Sequence, residues 1–303
     1  HNGRFCSAPM SALHPTSDVH GPCHHILVFD SGLGGLSIAR EIIAAAPHAC
    51  ISYLADTAFF PYGTKSDEQL ISRIESLLEK AILSLAPDIV VIACNTASTL
   101  ALSHLRARFN LPFVGVVPAI KPAASLSRSK TFGLLATPAT VSRAYTAQLI
   151  ADFAADCTVV RFGSHNLVTL AEASLCGLAP SAAALERELA GLLAQPGAEA
   201  IDTVVLACTH FPLLLEGLKS AAPHIRHWVD SGAAVARQVG VWQQRVAPSV
   251  KAVETVRFFS TQPYEHLQVS QVERLLGRAV LMDLGLVLPA PSNTATGFIH
   301  VEN

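Results

Sequence analysis

Short apolar runs alternate with helical segments along most of this chain, and this alternation limits the folds open to it. Examples are HILVFD (25–30), ISYLAD (51–56) and DIVVIAC (88–94). The segments Ser37–Ala46 and Asp67–Leu85, which lie after such runs, have the residue pattern of helices. Strands that are apolar throughout and separated by helices indicate βαβ units, because helices cover both faces of a parallel sheet. We therefore predict an α/β protein with mostly parallel sheets.

The alternation is repeated in a second series that begins near residue 131. Its apolar runs include TFGLLAT (131–137), CTVVRF (157–162) and DTVVLAC (202–208). VVIACNT (90–96) and VVLACTH (204–210) share one form, which suggests an internal repeat. We predict two similar lobes, each a mostly parallel sheet flanked by helices, with the active site in the cleft between them. The predicted boundaries are a flexible extension over 1–25, a first lobe over 26–117 and 234–289, a second lobe over 118–233, and a tail over 290–303.

Charge and cysteine content narrow the partners and the compartment. A formal net charge of −2 gives no long-range attraction to nucleic acids or anionic membranes, so the expected partner is a small molecule. Asp88 interrupts the best candidate for a membrane span. The seven cysteines are an odd number without a CxxC pair, and no signal peptide is visible. We therefore expect a protein of a reducing compartment.

Histidines and cysteines are concentrated near the N-terminus, which raises the question of a metal site. Their spacing matches no standard zinc finger, and the surrounding Ser, Pro and Gly residues are typical of a flexible extension. We therefore expect no bound metal. The residues concerned are Cys6, His14, His20, Cys23, His24 and His25.

Cys94 and Cys208 are the strongest candidates for catalysis. Both lie at the carboxyl end of a buried strand, where open α/β sheets bind their ligands. A helix is predicted after each, and the dipole at a helix N-terminus favours the thiolate. A lone buried cysteine would more simply be a small apolar core residue. Both cysteines, however, are followed by more polar residues than one helix cap requires. These residues are Asn95, Thr96, Thr209 and His210.

The sequence Asp30-Ser31-Gly32-Leu33-Gly34-Gly35 is a glycine-rich turn between a predicted strand and a predicted helix. Such a turn can bind a dinucleotide, with Asp56 as the acid that holds the ribose. The fingerprint fails where Ser37 replaces its third glycine, and Asp30 would face the pyrophosphate. A purely structural turn is another alternative. Our interpretation is that the backbone N–H groups hold the carboxylate of a small ligand, while Asp30 faces an ammonium or a catalytic group.

Three further sites are weaker candidates by themselves. Tyr62 and Gly63 form a turn at the same end of the sheet, although Pro/Gly loops are common. His210 can exchange a proton with Cys208, or it can simply cap a helix. Glu172 would by default be a solvated helix residue.

A series of sequence blocks resembles the signature of the glutamate racemases. The blocks are FDSGLGGLS, YLADTAFFPYGTKS, VIACNTAST, LLATPATV, VLACTHFPLL and VDSGAAVA, and they span about residues 26–235. The CNT and CTH blocks alone would also fit aspartate racemases, whereas DSGxGGLS together with PYGxKS is specific to the glutamate branch. The STQPYEHL segment (260–267) matches its block poorly.

This resemblance implies a racemase that uses two cysteine bases and no cofactor. The implied catalytic residues are Cys94, Cys208, Asp30, His210 and Glu172. The implied substrate-binding residues are Asp30, Ser31, Tyr62, Gly63, Asn95, Thr96, Thr137, Thr140, Thr209 and His210. The chemistry agrees, because inversion of an α-carbon requires removal of a proton from one face and delivery to the other. Members of the family often form homodimers and supply D-glutamate for peptidoglycan.

Three alternatives remain open from the sequence. The same scaffold can racemise aspartate or another acidic amino acid. A two-lobed amino-acid-binding protein would use the same cleft without needing two cysteines. A Cys–His hydrolase built from Cys94 and His210 would leave Cys208 without a role.

Overall fold

The computed structural model describes residues 21–283, which form three β-sheets and the helices around them. The strands are β1 (Pro22–Cys23), β2 (His25–Asp30), β3 (Cys50–Ala55), β4 (Ile89–Ile92), β5 (Phe113–Gly115), β6 (Thr131–Ala136), β7 (Thr158–Gly163), β8 (Thr203–Leu206), β9 (His227–Val229), β10 (Val250–Lys251), β11 (Val256–Ser260) and β12 (Val280–Met282). The α-helices are α1 (Leu36–Ala45), α2 (Asp67–Leu85), α3 (Asn95–Arg108), α4 (Ile120–Leu126), α5 (Pro138–Ser142), α6 (Ala144–Phe153), α7 (Asn166–Leu175), α8 (Ala182–Leu193), α9 (Leu215–Ala221), α10 (Gly232–Gln243) and α11 (Val269–Leu276).

All strand pairs in the two larger sheets are parallel. One sheet has the order β12-β11-β3-β2-β4-β5, and the other has the order β7-β6-β8-β9. Helices flank both sheets, so the prediction of a two-lobed α/β fold is confirmed. The chain leaves the first sheet after β5, builds the second sheet, and returns to the first for β11 and β12. The lobe boundaries at residues 117 and 233 stay a prediction.

The predicted terminal segments lie mostly outside the described residues. The extension over 1–25 overlaps them only at residues 21–25, where β1 pairs antiparallel with β10 and β2 begins at His25. Strand structure therefore starts earlier in the chain than predicted. The tail over 290–303 lies outside the described residues. Within residues 21–283, no helix is both long enough and apolar enough to cross a membrane.

Strand β2 shows how the sequence builds the core of the first lobe. All six of its residues are buried, and successive side chains point to opposite faces of the sheet. Ile26 and Val28 pack with residues of α1 and α10, whereas Leu27 and Phe29 pack with residues of α2 and α3. Burial on both faces explains why this strand is apolar nearly throughout.

Helix α2 begins at Asp67 and ends at Leu85, as the sequence predicts. The Ser66 hydroxyl accepts a hydrogen bond from the Gln69 N–H, and the Gln69 side chain accepts one from the Ser66 N–H. This capping box satisfies two backbone groups that have no partner within the helix. Local signals are therefore sufficient to set where this helix starts.

The sequence pattern over residues 139–153 predicts one continuous helix, but the structure has two helices there. Arg143 interrupts it with an extended backbone (φ −70°, ψ 140°), so that α5 and α6 are separate. The Arg143 guanidinium lies 3.3 Å from the carboxylate of Asp67 in the first lobe. A contact with a residue so distant in the chain cannot be inferred from local helix propensity.

Candidate active site

A cavity of about 250 Å³ lies where the carboxyl ends of strands from the two lobes meet. Its walls come from the segments after β2, β3 and β4 of the first lobe and after β6, β7 and β8 of the second. Pockets for drug-sized ligands measure ~300–1,000 Å³. The cavity therefore suits a small metabolite rather than a dinucleotide.

Cys94 lies at the N-terminal cap of α3 and is 7% exposed. Its Sγ lies 3.9 Å from the hydroxyl oxygen of Ser31. Burial, followed by the nearby Asp30 carboxylate, raises the pKa of Cys94 to about 12. The Ala97 N–H acts in the opposite direction but does not outweigh them. The helix N-terminus therefore acts in the predicted direction, but burial and Asp30 outweigh it, and the raised pKa favours the thiol form of Cys94.

Cys208 follows β8 and is also 7% exposed. The element after it is a 3-10 turn, Phe211–Leu214, and the next α-helix begins only at Leu215. A helical segment therefore follows Cys208 closely, as predicted, although its first turn is a 3-10 helix rather than an α-helix. The imidazole of His210 lies next to this cysteine, with its Nδ1 3.8 Å from the Cys208 Sγ.

His210 connects Cys208 to a carboxylate. Its Nε2 lies 2.6 Å from Oε1 of Glu172, and the residue is 3% exposed. Burial opposes a positive charge, but the interactions with Cys208 and Glu172 overcome it and raise the pKa of His210 well above its ordinary value. The raised pKa favours the protonated form of this imidazole, which lies beside the Cys208 sulfur. The hydrolase alternative, which pairs His210 with Cys94, does not fit this arrangement.

Glu172 is not the solvated helix residue that its sequence context suggests by default. Its side chain is 16% exposed, and Oε1 accepts a hydrogen bond of 2.6 Å from the Leu33 N–H. Leu33 belongs to the glycine-rich turn of the first lobe, whereas Glu172 lies in α7 of the second. The carboxylate thus joins the two lobes next to His210.

Asp30 is fully buried, and burial raises the pKa of its carboxyl group. Its Oδ2 accepts hydrogen bonds of 3.1 Å from the N–H groups of Gly32 and Gly35, and its Oδ1 has no partner among the described residues. These two N–H groups are therefore engaged within the protein, and the interpretation that other N–H groups of the turn hold a ligand carboxylate stays a prediction. Gly34 is needed for another reason, since a Cβ there would overlap the ring of His210.

Asp56 holds Tyr62 at the edge of the cavity. Its carboxylate forms a two-point ion pair with Arg73, at 2.7 and 3.0 Å. It also accepts hydrogen bonds of 2.8 Å from the hydroxyls of Tyr62 and Thr261. Asp56 is fully buried, so these contacts replace its hydration. A carboxylate engaged in this way is not available to a ribose, which removes the dinucleotide alternative.

The chain is similar to glutamate racemases in sequence. A model of the aspartate/glutamate/hydantoin racemase family matches residues 34–239. The glutamate racemase of Pasteurella multocida is 45% identical over 262 residues, which cover 86% of this chain and 96% of the relative. The glutamate racemase of Pectobacterium carotovorum is 52% identical over 213 residues, which cover 70% of this chain and 74% of the relative.

A solved structure extends this similarity to three dimensions. Escherichia coli glutamate racemase, in complex with L-glutamate and the activator UDP-MurNAc-Ala, is 42% identical with a TM-score of 0.78. The alignment covers 84% of this chain and 95% of that one. The chain belongs to the glutamate racemase family. It is therefore an isomerase that acts as an amino-acid racemase, and the resemblance found in the sequence blocks is confirmed.

In this racemase the cavity brings together eleven of the thirteen predicted site residues. They are Ser31, Tyr62, Gly63, Cys94, Asn95, Thr96, Thr137, Thr140, Cys208, Thr209 and His210. The other two, Asp30 and Glu172, do not line the cavity but contact residues around it. Asp30 acts on Cys94 through its charge, and Glu172 contacts His210.

Sequence reasoning missed seven lining residues of the racemase. They are Phe60, Pro61, Thr64, His165, Val168, Thr169 and Ala207. His165 follows the end of β7, so the rule that ligands bind beyond the carboxyl ends of parallel strands would have found it. Val168 and Thr169 lie inside α7, where no local signal separates a cavity wall from a core face.

Proposed function

We propose that this racemase interconverts L- and D-glutamate without a cofactor, with Cys94 and Cys208 as its two acid/base residues. The observation that carries the proposal is that both cysteines reach one small cavity from different lobes. Inversion of an α-carbon requires an acid and a base on opposite faces, and groups from two lobes can supply them. Pyridoxal phosphate is attached to enzymes through a lysine side chain. No lysine is among the described residues that line the cavity.

The surroundings of the two sulfurs support an assignment of which cysteine removes the α-proton and which cysteine donates a proton. From L-glutamate, the Cys208 thiolate beside the His210 imidazolium takes the α-proton, and the electron pair of the broken C–H bond stays on the substrate. The Cys94 thiol then gives its proton to the opposite face, and D-glutamate results. The raised pKa of Cys94 keeps it protonated for this role. Cys208 ends as a thiol and Cys94 as a thiolate, which is the arrangement needed for the reverse reaction.

A buried acceptor in the cavity lining supports an amino acid as the substrate. Oδ1 of Asn95 has no hydrogen-bond partner among the described residues. An ammonium group supplies three donors and can satisfy this oxygen. The hydroxyls of Ser31, Thr96 and Thr209 line the cavity as donors for the carboxylates. Glutamate, rather than aspartate, is supported by the L-glutamate bound to the E. coli relative.

The family also supports a role in the cell. We propose that this chain supplies D-glutamate for peptidoglycan synthesis, in the cytoplasm and as a homodimer.

Incubation in deuterated water tests substrate and chemistry together. The purified protein is given L-glutamate or L-aspartate without any added cofactor, and circular dichroism and α-deuterium content are followed. The optical activity of L-glutamate should fall to zero while one deuterium enters the α-position, with much slower turnover of L-aspartate. Retention of the α-hydrogen would indicate an amino-acid-binding protein. Faster turnover of aspartate, or a requirement for pyridoxal phosphate, would contradict the proposal.

Serine variants separate the roles of the two cysteines. Cys94→Ser and Cys208→Ser should each lower racemisation by about 10²–10⁴-fold, because a serine hydroxyl is a far poorer base than a thiolate. Elimination of chloride from 3-chloroglutamate needs only one base. Cys94→Ser should therefore retain elimination for the L-analogue, and Cys208→Ser for the D-analogue. Cys157→Ser, outside the cavity lining, is the matched control. Equal loss for both enantiomers in each variant would contradict this assignment.

A further inference from the structure

Tyr264 reaches from the first lobe to a carboxylate of the second. It lies in the loop after β11, within the STQPYEHL segment. Its hydroxyl lies 3.5 Å from Oε2 of Glu172. Its ring packs edge-on against Phe258 of β11, with ring centres 6.3 Å apart and planes at 69°. Packing of the ring thus directs the hydroxyl toward Glu172.

The two oxygens of Glu172 have different partners. Oε1 contacts both the Leu33 N–H and Nε2 of His210, each at 2.6 Å, whereas Oε2 contacts the Tyr264 hydroxyl. The last torsion of a glutamate side chain is soft, so contacts at one oxygen alone leave the carboxylate plane poorly fixed. A donor at Oε2 fixes that plane, and with it the direction from Oε1 to His210.

The Tyr264 hydroxyl keeps the proton that it needs to donate a hydrogen bond to Glu172. Burial, followed by the nearby Glu172 and Asp30 carboxylates, raises the pKa of Tyr264 above its ordinary value. The phenol therefore stays protonated around neutral pH, and its O–H can donate to the carboxylate.

We propose that Tyr264 is a positioning residue for the half of the reaction that uses Cys208. Its hydroxyl orients Glu172, and Glu172 holds His210 against the Cys208 sulfur. Among the described residues, no hydrogen bond joins Tyr264 to Cys94 or to Asp30. Loss of the hydroxyl should therefore slow one proton transfer and leave the other unchanged. The inference rests on the two-cysteine function proposed above.

Tyr264→Phe tests the inference, because it removes the hydroxyl and keeps the ring. Elimination from the L-analogue of 3-chloroglutamate, with Cys208 as the base, should slow by about five- to tenfold. This lies just below the usual range for a hydrogen bond to a charged acceptor, because the contact is long. Elimination from the D-analogue should not change. The kcat/KM for racemisation should fall equally in both directions, because the two enantiomers have the same free energy. Tyr145→Phe, at an exposed position in α6, is the matched control.

A double variant tests whether Tyr264 acts through Glu172 or has a general effect on the structure. In Glu172→Gln protein, Tyr264→Phe should cause no further loss for the L-analogue, since residues that act through one another are not additive. Equal slowing for both analogues, no slowing at all, or a full additional loss in that background would overturn the inference. The wild-type and cysteine-variant assays are separate. If they fail to distinguish the enantiomers, the proposed function itself is contradicted, and this inference with it.

Discussion

Cys94 and Cys208 have opposite electrostatic surroundings. The buried Asp30 carboxylate acts on Cys94, whereas the His210 imidazolium lies beside Cys208. Burial and the nearby negative charge raise the pKa of Cys94 and favour its thiol. In the proposed mechanism, the division of roles between acid and base therefore depends on the neighbours of the cysteines, since the two side chains are chemically identical.

Asp30→Asn should make Cys94 more reactive. The change removes a negative charge at nearly constant volume, so the pKa of Cys94 should fall from about 12 and the thiolate fraction at pH 8 should rise. Alkylation by iodoacetamide, followed by mass spectrometry, measures that fraction. In the wild-type protein the rate at Cys94 should rise about tenfold per pH unit as long as the pH stays below that pKa. Cys157 in the same digest is the control. A plateau already at pH 9, or no acceleration in the variant, would contradict this account.

Helix α2 and the strands were predictable because local contacts or simple burial determine them. The Ser66 capping box marks the start of α2, and continuous apolar runs mark strands that are covered on both faces. The site positions of Cys94 and Cys208 were predictable for a related reason. Both follow the carboxyl ends of parallel strands, where α/β sheets bind their ligands. The break at Arg143 was missed because Asp67, its partner, is distant in the chain. The short helices α4 and α9 were not assigned, and the pairing of β1 with β10 is likewise non-local.

The turn after β2 shows that non-local contacts also limit prediction of the site from the sequence. Its glycines and Asp30 were recognised as functional from the sequence. That Asp30 itself occupies the Gly32 and Gly35 N–H groups depends on backbone geometry, which composition does not specify. The contact of Glu172 with Leu33 depends on how the two lobes meet, so no pattern in either segment could predict it.

Arg73→Ala tests how α2 supports the site. The variant leaves the fully buried Asp56 carboxylate without its cation, which should lower the free energy of unfolding by about 3–5 kcal/mol. Urea denaturation measures the loss. Tyr62 should also lose its fixed position, so that KM for glutamate rises. Arg108→Ala on α3 is the control, because Arg108 pairs with Glu79 at the exposed surface and should contribute little. Equal effects of the two changes would refute a special role for the buried pair.

The two lobes meet at contacts that surround the cavity. The Ser37 hydroxyl donates to the Thr209 carbonyl at 2.8 Å, and the Leu33 N–H donates to Glu172. Because Cys94 and Cys208 belong to different lobes, their separation depends on how the lobes are arranged. Under the two-cysteine proposal, the arrangement of the lobes therefore decides whether both sulfurs can reach one α-carbon.

A crystal structure with bound glutamate should place the two sulfurs ~6–8 Å apart. Each sulfur must approach the same α-carbon to ~3–3.5 Å from an opposite face for proton transfer in both directions. A disulfide has sulfurs ~2 Å apart, so the two cysteines should also resist mutual oxidation when substrate is bound. Asp30 should lie on the Cys94 side of the ligand and His210 on the Cys208 side. Sulfurs on the same side of the α-carbon, or ~15 Å apart with glutamate bound, would leave no geometry for two-base inversion.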